Sequence, residues 1–152
     1  KVPTRAAHAI LNSLFQSAGV ICAKKAMIIW ERKLRENGLN VDFWTEDWKN
    51  KLWAQQMIAY HDEAQIEVSK KLVKFKMFST KEEVNAFRKE QYESQRLIWA
   101  EAHESPKGGW FTAYSLPGQL VVEAVKETTE FYKLNCPLSA DYVLGTSWAN
   151  CH

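Results

Sequence analysis

Apolar positions along the chain recur with two periods, and the changes between them divide it into segments. From Pro3-Thr4 onward Ile10, Leu14, Val20 or Ile21, Met27 or Ile28, and Leu34 return at helical spacing, until Asn37-Gly38 supplies a stop. Within this stretch Gln16-Ser17-Ala18-Gly19 is small and polar, a place for a bend or for close approach of another backbone. Residues 40–52, rich in Trp, Asp, Asn and Lys, read as a connecting loop with a single helical turn. The period then drops to two. Met57 and Ile58 lead into a bend, and Ile66 and Val68 lead out of it, alternating with Gln65 and Glu67. This predicts two short strands meeting at a tight turn.

A strand is expected again at Leu72–Phe78, with Val73, Phe75 and Met77 on one face and Lys74 and Lys76 on the other. Thr80 and Glu83 form a capping-box pattern that starts a charged helix reaching His103, with Val84, Phe87, Tyr92, Leu97 and Ile98 as its apolar stripe. Pro106-Lys107-Gly108-Gly109 breaks the chain before a short strand, Trp110–Tyr114. Leu116-Pro117-Gly118 leads into a last helix, Gln119–Leu134, whose buried stripe is Val121, Val122, Val125 and Thr129 or Phe131, and which Pro137 stops. Tyr142–Leu144 is predicted as a final strand, and 145–152 as a loop. The class is α+β: an antiparallel hairpin or sheet packed by long helices.

Composition adds boundaries to this outline. The 152 residues are enough for one domain with a real core and too few for two. With 46% hydrophobic and 25% charged residues the chain is of ordinary globular make-up. A net charge of +2 names no polyanionic partner, so any basic surface must come from local clustering, such as Lys24, Lys25, Arg32, Lys33 and Arg35 on the first helix. For those five a solvated helix face is the expected role. Seven tryptophans imply a large aromatic core or several stacking surfaces. There is no run long enough to span a membrane and no secretory pattern at the N-terminus. Cys22, Cys136 and Cys151 form no CxxC pair; they point to a reducing, cytoplasmic setting and read as small hydrophobes. Lysine rather than methionine at position 1 is expected of a piece of something longer.

The candidate chemistry lies at the bend. His61-Asp62-Glu63 would sit at a hairpin tip, clear of the core, where carboxylates can hold a divalent cation. Hard oxygen ligands suit Mg²⁺, and a rigid hairpin places them with little slack. A solvated polar turn without a ligand is the alternative.

Three segments in order resemble the C-terminal end of family A (Pol I-type) DNA polymerases, most closely the bacteriophage replicative branch. They are RAAHAILNSLFQSAG at 5–19, with the Asn-x-x-x-Gln pair Asn12 and Gln16; YHDEAQIEV at 60–68, similar to polymerase motif C; and GTSWANCH at 145–152, similar to the family's terminal Gly-x-x-Trp-x-x-x-His. The resemblance implies the C-terminal part of a polymerase palm, with the base of the fingers, acting in DNA replication. Its reaction adds a deoxynucleoside monophosphate from a dNTP to a primer 3′ hydroxyl.

In that family two Mg²⁺ ions about 3.5–4 Å apart serve the reaction. The resemblance makes Asp62 a metal ligand, Glu63 an auxiliary acid and His61 a neighbour of the primer end. It brings Asn12 and Gln16, one helical turn apart, to the minor groove of the primer-template DNA, with His8 and Arg5 beside them. Minor-groove acceptors lie in nearly the same place in every correct base pair, so such amides sense shape without reading sequence. Trp148 would anchor the C-terminal tail. His152 would bring its imidazole or terminal carboxylate near the site, or be held merely at the surface.

The chain departs from the family in places. His8 stands where cellular enzymes have arginine, with Arg5 one turn earlier, and Tyr60 stands where a smaller aliphatic residue is usual. Residues 70–112 read as an insertion that adds DNA-backbone contacts, binds a partner or decorates the surface. The family's other catalytic aspartate (Asp-Tyr-Ser-like) and its nucleotide-binding fingers helix (Arg-x-x-x-Lys-x-x-x-Phe/Tyr-Gly) do not occur here; Asp42 and Asp47 lack that context. The remainder of the polymerase is therefore expected as a partner, upstream or on a separate chain. Two other readings stay open. One is a non-catalytic nucleic-acid-binding module using Trp and Lys surfaces. The other is an HD-type metal phosphohydrolase built from His8, His61-Asp62 and Asp141, which would place the His-Asp pair on helices.

Overall fold

The computed structural model describes residues 7–42, 44, 46–60 and 63–147. Helix α1 (Ala7–Glu36) leads through a 3-10 turn (Glu46–Asn50) to strands β1 (Ala54–Tyr60) and β2 (Glu63–Val68). A second 3-10 turn (Lys70–Leu72) precedes β3 (Val73–Phe78), α2 (Lys81–Gln95), β4 (His103–Glu104), β5 (Trp110–Ser115) and α3 (Leu116–Tyr132). The α+β class is observed, with two antiparallel sheets, β1-β2 and β3-β5-β4.

The first core lies where α1, α3 and the hairpin meet. Ile29, Trp30, Leu34 and Leu39 pack with Ala54, Leu120 and Ala124, and the half-buried Ile66, Val68 and Leu116 close over them. The Trp30 indole donates to the Pro117 carbonyl at 2.9 Å, which satisfies a polar group at the centre of this layer. The basic face of α1 is not simply solvated. Arg32 pairs with Glu127 at 2.5 Å, Lys33 lies 3.4 Å from Glu127 and 3.7 Å from Glu123, and Lys25 stands 3.5 Å over the Phe131 ring. The two helices therefore meet through charge at the rim and apolar contact inside. Gly19 admits no other backbone: α1 runs through it unbroken, and a Cβ there would meet nothing within 4 Å.

The second layer is the three-stranded sheet with α2 across one face. Phe87 of α2 meets Phe78 in a tilted contact at 5.2 Å and Trp99 edge-on at 4.9 Å, and Val84 is fully buried. The capping box is present, with Thr80 accepting from the Glu83 amide and Glu83 from the Thr80 amide. The helix ends at Gln95 rather than His103. Arg96 turns left-handed (φ 58°), and its amide caps the last carbonyls. Leu97 and Ile98 therefore leave the helix and run beside β5, where the Ala100 amide donates to the Ala113 carbonyl at 2.8 Å. Thr112 hydroxyl donates back to the Ala100 carbonyl at 2.7 Å.

Helix α3 begins at Leu116, with Pro117 in its first turn, where no amide is needed. Its buried residues are Pro117, Leu120, Val122, Ala124 and Thr128, while Phe131 is exposed. The helix stops at Tyr132, where Lys133 adopts a left-handed cap, before Pro137 is reached. Tyr142–Leu144 form no strand. Tyr142 instead wedges inward: its hydroxyl donates to the Ile98 carbonyl at 2.7 Å and accepts from the Ser115 amide at 3.3 Å. Its ring lies on Gly118, where a Cβ would come within 2.5 Å of it. Burial pushes the Tyr142 phenol well above its ordinary range. Among the described residues no helix is long and apolar enough to cross a membrane.

Candidate functional site: the β1–β2 hairpin and the face of α1

The hairpin is tied to α1 at its base. The Ala54 amide donates to the Leu39 carbonyl at 3.1 Å, and the Leu39 amide to Leu34 at 2.9 Å. Across the two strands, the Ser69 amide donates to the Trp53 carbonyl and the Trp53 amide to the Ser69 hydroxyl. From there the ladder runs Ala54↔Val68, Gln55↔Glu67 and Gln56↔Ile66, then skips Met57 and resumes at Ile58↔Gln65, Ala59↔Ala64 and Tyr60↔Glu63.

The skipped residue is a β-bulge, and it decides what stands at the tip. In a regular ladder Met57 would face Gln65, Ala59 would face Glu63, and Tyr60 would fall in the loop. With the bulge the ladder closes on Tyr60 and Glu63, and only His61 and Asp62 lie between the strands. A two-residue connection is the tightest common hairpin link. The bulge also turns Ile58 to the Gln65 face, leaving Met57 59% and Ile58 39% exposed.

Glu63 stands at the start of β2 with its side chain exposed, and accepts a hydrogen bond from Gln65. His61 and Asp62 lie outside the described residues, as do Arg5, Trp148, Cys151 and His152. His8, Asn12 and Gln16 are all in α1, spaced by four and so aligned along one helix face, and Gln16 is exposed. Residues 16–20 are exposed throughout, and from residue 16 onward the first buried residue of α1 is Ala26. Of the predicted residues, Gln16 and Glu63 thus stand on two elements that share one anchor. Gln16 lies about 27 Å along α1 from Leu34 at 1.5 Å per residue. The hairpin extends about 23 Å from its base at 3.3 Å per residue.

Glu63 is the described carboxylate next to the tip, and an oxygen donor there suits a hard cation. No group of three His, Cys, Asp or Glu able to hold a metal ion occurs among the described residues. Asp141 accepts from Arg88 at 3.1 Å and from the Tyr142 amide at 2.8 Å, so it is held in the α2 layer. The His61-Asp62 pair connects two strands, not helices, unlike the phosphohydrolase arrangement. The tryptophans serve packing more than display: Trp30 and Trp99 are buried, and Trp48 meets Trp53 edge-on, while Trp44 is 98% exposed. Cys22 and Cys136 are free thiols, and Cys136 is exposed rather than a core residue.

Sequence reasoning missed the bulge, because nothing in Gln56-Met57-Ile58 distinguishes it from a regular strand. It also missed the row of rings Phe75, Phe111 and His103 on the second sheet. Comparison with protein-family models, with curated proteins and with solved structures finds no match to this chain.

Proposed function

We propose that this chain is the C-terminal part of the palm, with the base of the fingers, of a template-directed DNA polymerase resembling the phage replicative branch of family A. The observation that carries the reading is the closure of the β1–β2 ladder on Tyr60 and Glu63, which leaves His61 and Asp62 as the link between antiparallel strands. A motif C carboxylate needs that setting. The four-residue spacing of His8, Asn12 and Gln16 on one continuous helix is the second support.

In this proposal the primer 3′ oxygen attacks the α-phosphorus of a dNTP, forming one P–O bond as the bond to pyrophosphate breaks. Mg²⁺, when bound, supplies charge neutralisation at the reacting phosphate and acidifies the 3′ hydroxyl. Asp62 is the residue here that would hold it, with Glu63 as an auxiliary acid and His61 beside the primer terminus. Asn12 and Gln16 donate to minor-groove acceptors, with Arg5 and His8 alongside, and so hold the last base pairs in register. The resemblance also brings His152 near the site.

One carboxylate cannot assemble a two-ion site, so the second aspartate and the dNTP-binding helix come from the remainder of the polymerase. The test is primer extension with Mg²⁺ by the chain alone and with that remainder added. None is expected alone. Robust extension by the 152-residue chain alone would defeat the proposed division of the site.

A further inference from the structure

The chain forms two layers: α1, α3 and the hairpin in one, the β3-β5-β4 sheet and α2 in the other. Along the backbone they are joined where Leu72 leads into β3 and where β5 runs straight into α3. Between α2 and α3 lies a cavity of about 240 Å³, lined by Arg88 and Tyr92 of α2, Val122 and Lys126 of α3, and Trp99 and Asp141. Such a gap forfeits the dispersion contacts that would otherwise hold two packed helices together. Lys126 stands 5.4 Å from the Tyr92 ring centroid, a weak tie at an exposed ring.

The segment after α3 spans this gap. Residues 138–142 belong to no helix or strand, and Ser139, Ala140 and Asp141 line the same cavity. The Leu138 amide donates to the Thr129 hydroxyl of α3 at 2.8 Å, and Asp141 accepts from Arg88 of α2 at 3.1 Å. The Tyr142 carbonyl accepts from the Glu101 amide at 3.0 Å. Its hydroxyl donates to the Ile98 carbonyl at 2.7 Å and accepts from the amide of Ser115, the N-cap of α3, at 3.3 Å. Five consecutive residues thus reach both helices and the chain beside β5. Most of these bonds run through side chains, and none belongs to a ladder or a helix, so all of them can break without unwinding a regular element.

We propose that residues 138–142 are a strap that couples the two layers: while it is seated they open together, and once it lifts the α2 layer opens alone. Tyr142 is its key, because one phenol is shared between the start of α3 and the chain beside β5. The strap does not rest on the polymerase reading.

The test is native-state hydrogen exchange of the full chain, followed by NMR. The Glu101 amide reports the seated strap, the Ala100 amide (bonded to Ala113) the second layer, and the Leu39 and Ala54 amides the first. In the parent chain Ala100, Leu39 and Ala54 should have protection factors within about tenfold of one another. In Tyr142→Ala exchange at Ala100 should accelerate at least about tenfold more than at Leu39 and Ala54. Asp141 is 41% exposed, so Asp141→Ala keeps the chain folded, and it decides the matter should Tyr142→Ala fail to fold. It should speed exchange at Glu101 several-fold and leave Leu39 unchanged. Equal acceleration of both layers in Tyr142→Ala would overturn the proposal, since Tyr142 would then be an ordinary member of a single core. So would unchanged exchange at Ala100 in Tyr142→Ala, or at Glu101 in Asp141→Ala.

Discussion

Tyr60 and Glu63 are the last paired residues of the β1–β2 ladder, and they are paired only because Met57 is bulged out of it. The identity of the residues at the tip thus depends on an irregularity three residues earlier. A bulge beside a candidate site re-aims the strand that carries it, and this one brings the carboxylate-bearing triplet to a two-residue link.

The hairpin forms a two-stranded sheet, with no third strand among the described residues, and Met57 and Ile58 are exposed on it. Open edges with apolar side chains favour pairing with another chain. Sedimentation velocity should therefore show concentration-dependent self-association, reduced in Met57→Lys and Ile58→Lys. A monomer at all concentrations would count against it.

Gly118 lies against the Tyr142 ring. A methyl group at position 118 would lie 2.5 Å from the Tyr142 ring. Gly118→Ala is expected to cost about 1–3 kcal/mol in urea unfolding. Tyr142→Phe keeps the ring but leaves the Ile98 carbonyl without its donor, a loss of about 1–2 kcal/mol. Equal stability of Gly118→Ala and the parent chain would show that the ring moves aside freely.

Hydrogen bonding and charge from Arg32, then Lys33, hold the Glu127 carboxyl below its ordinary value of 4.5. A depressed carboxylate stabilises the fold above its unfolded pKa, and the contribution disappears as pH falls through the folded pKa. The α1–α3 contact should therefore weaken below pH 4.5. Glu127 is 34% exposed, so solvent screening keeps the effect below about 1 kcal/mol. Urea midpoints of Glu127→Gln should fall less than those of the parent between neutral and acid pH. Parallel pH profiles would contradict the assignment.

The legible parts of this fold were the local ones. Ile66 and Val68 alternate with polar residues and do face the core, and Thr80 with Glu83 does start a helix. What escaped was set by contacts distant in sequence or by backbone states without a residue signature. Helix α2 stops at Arg96 and α3 at Lys133, both left-handed without glycine, so neither end carries the usual mark. Strand β3 alternates as expected, yet Phe75 and Met77 are exposed along with Lys74 and Lys76. The period gives the two faces of β3 but not their burial, which depends on β5 and α2. Similarly, Tyr142 was read as strand because it is flanked by Val143 and Leu144, but it serves as a wedge under three separate segments. Of the candidate site, the hairpin and the helix face could be read in advance. The closing pair could not, because the bulge has no sequence mark.

The most direct measurement is Mg²⁺-dependent primer extension by this chain combined with the remainder of the polymerase, comparing the parent sequence with Asp62→Ala. Extension by the parent combination and its loss, by several orders of magnitude, in Asp62→Ala is the expected result. Extension at the parent rate by Asp62→Ala would contradict the role of the hairpin tip.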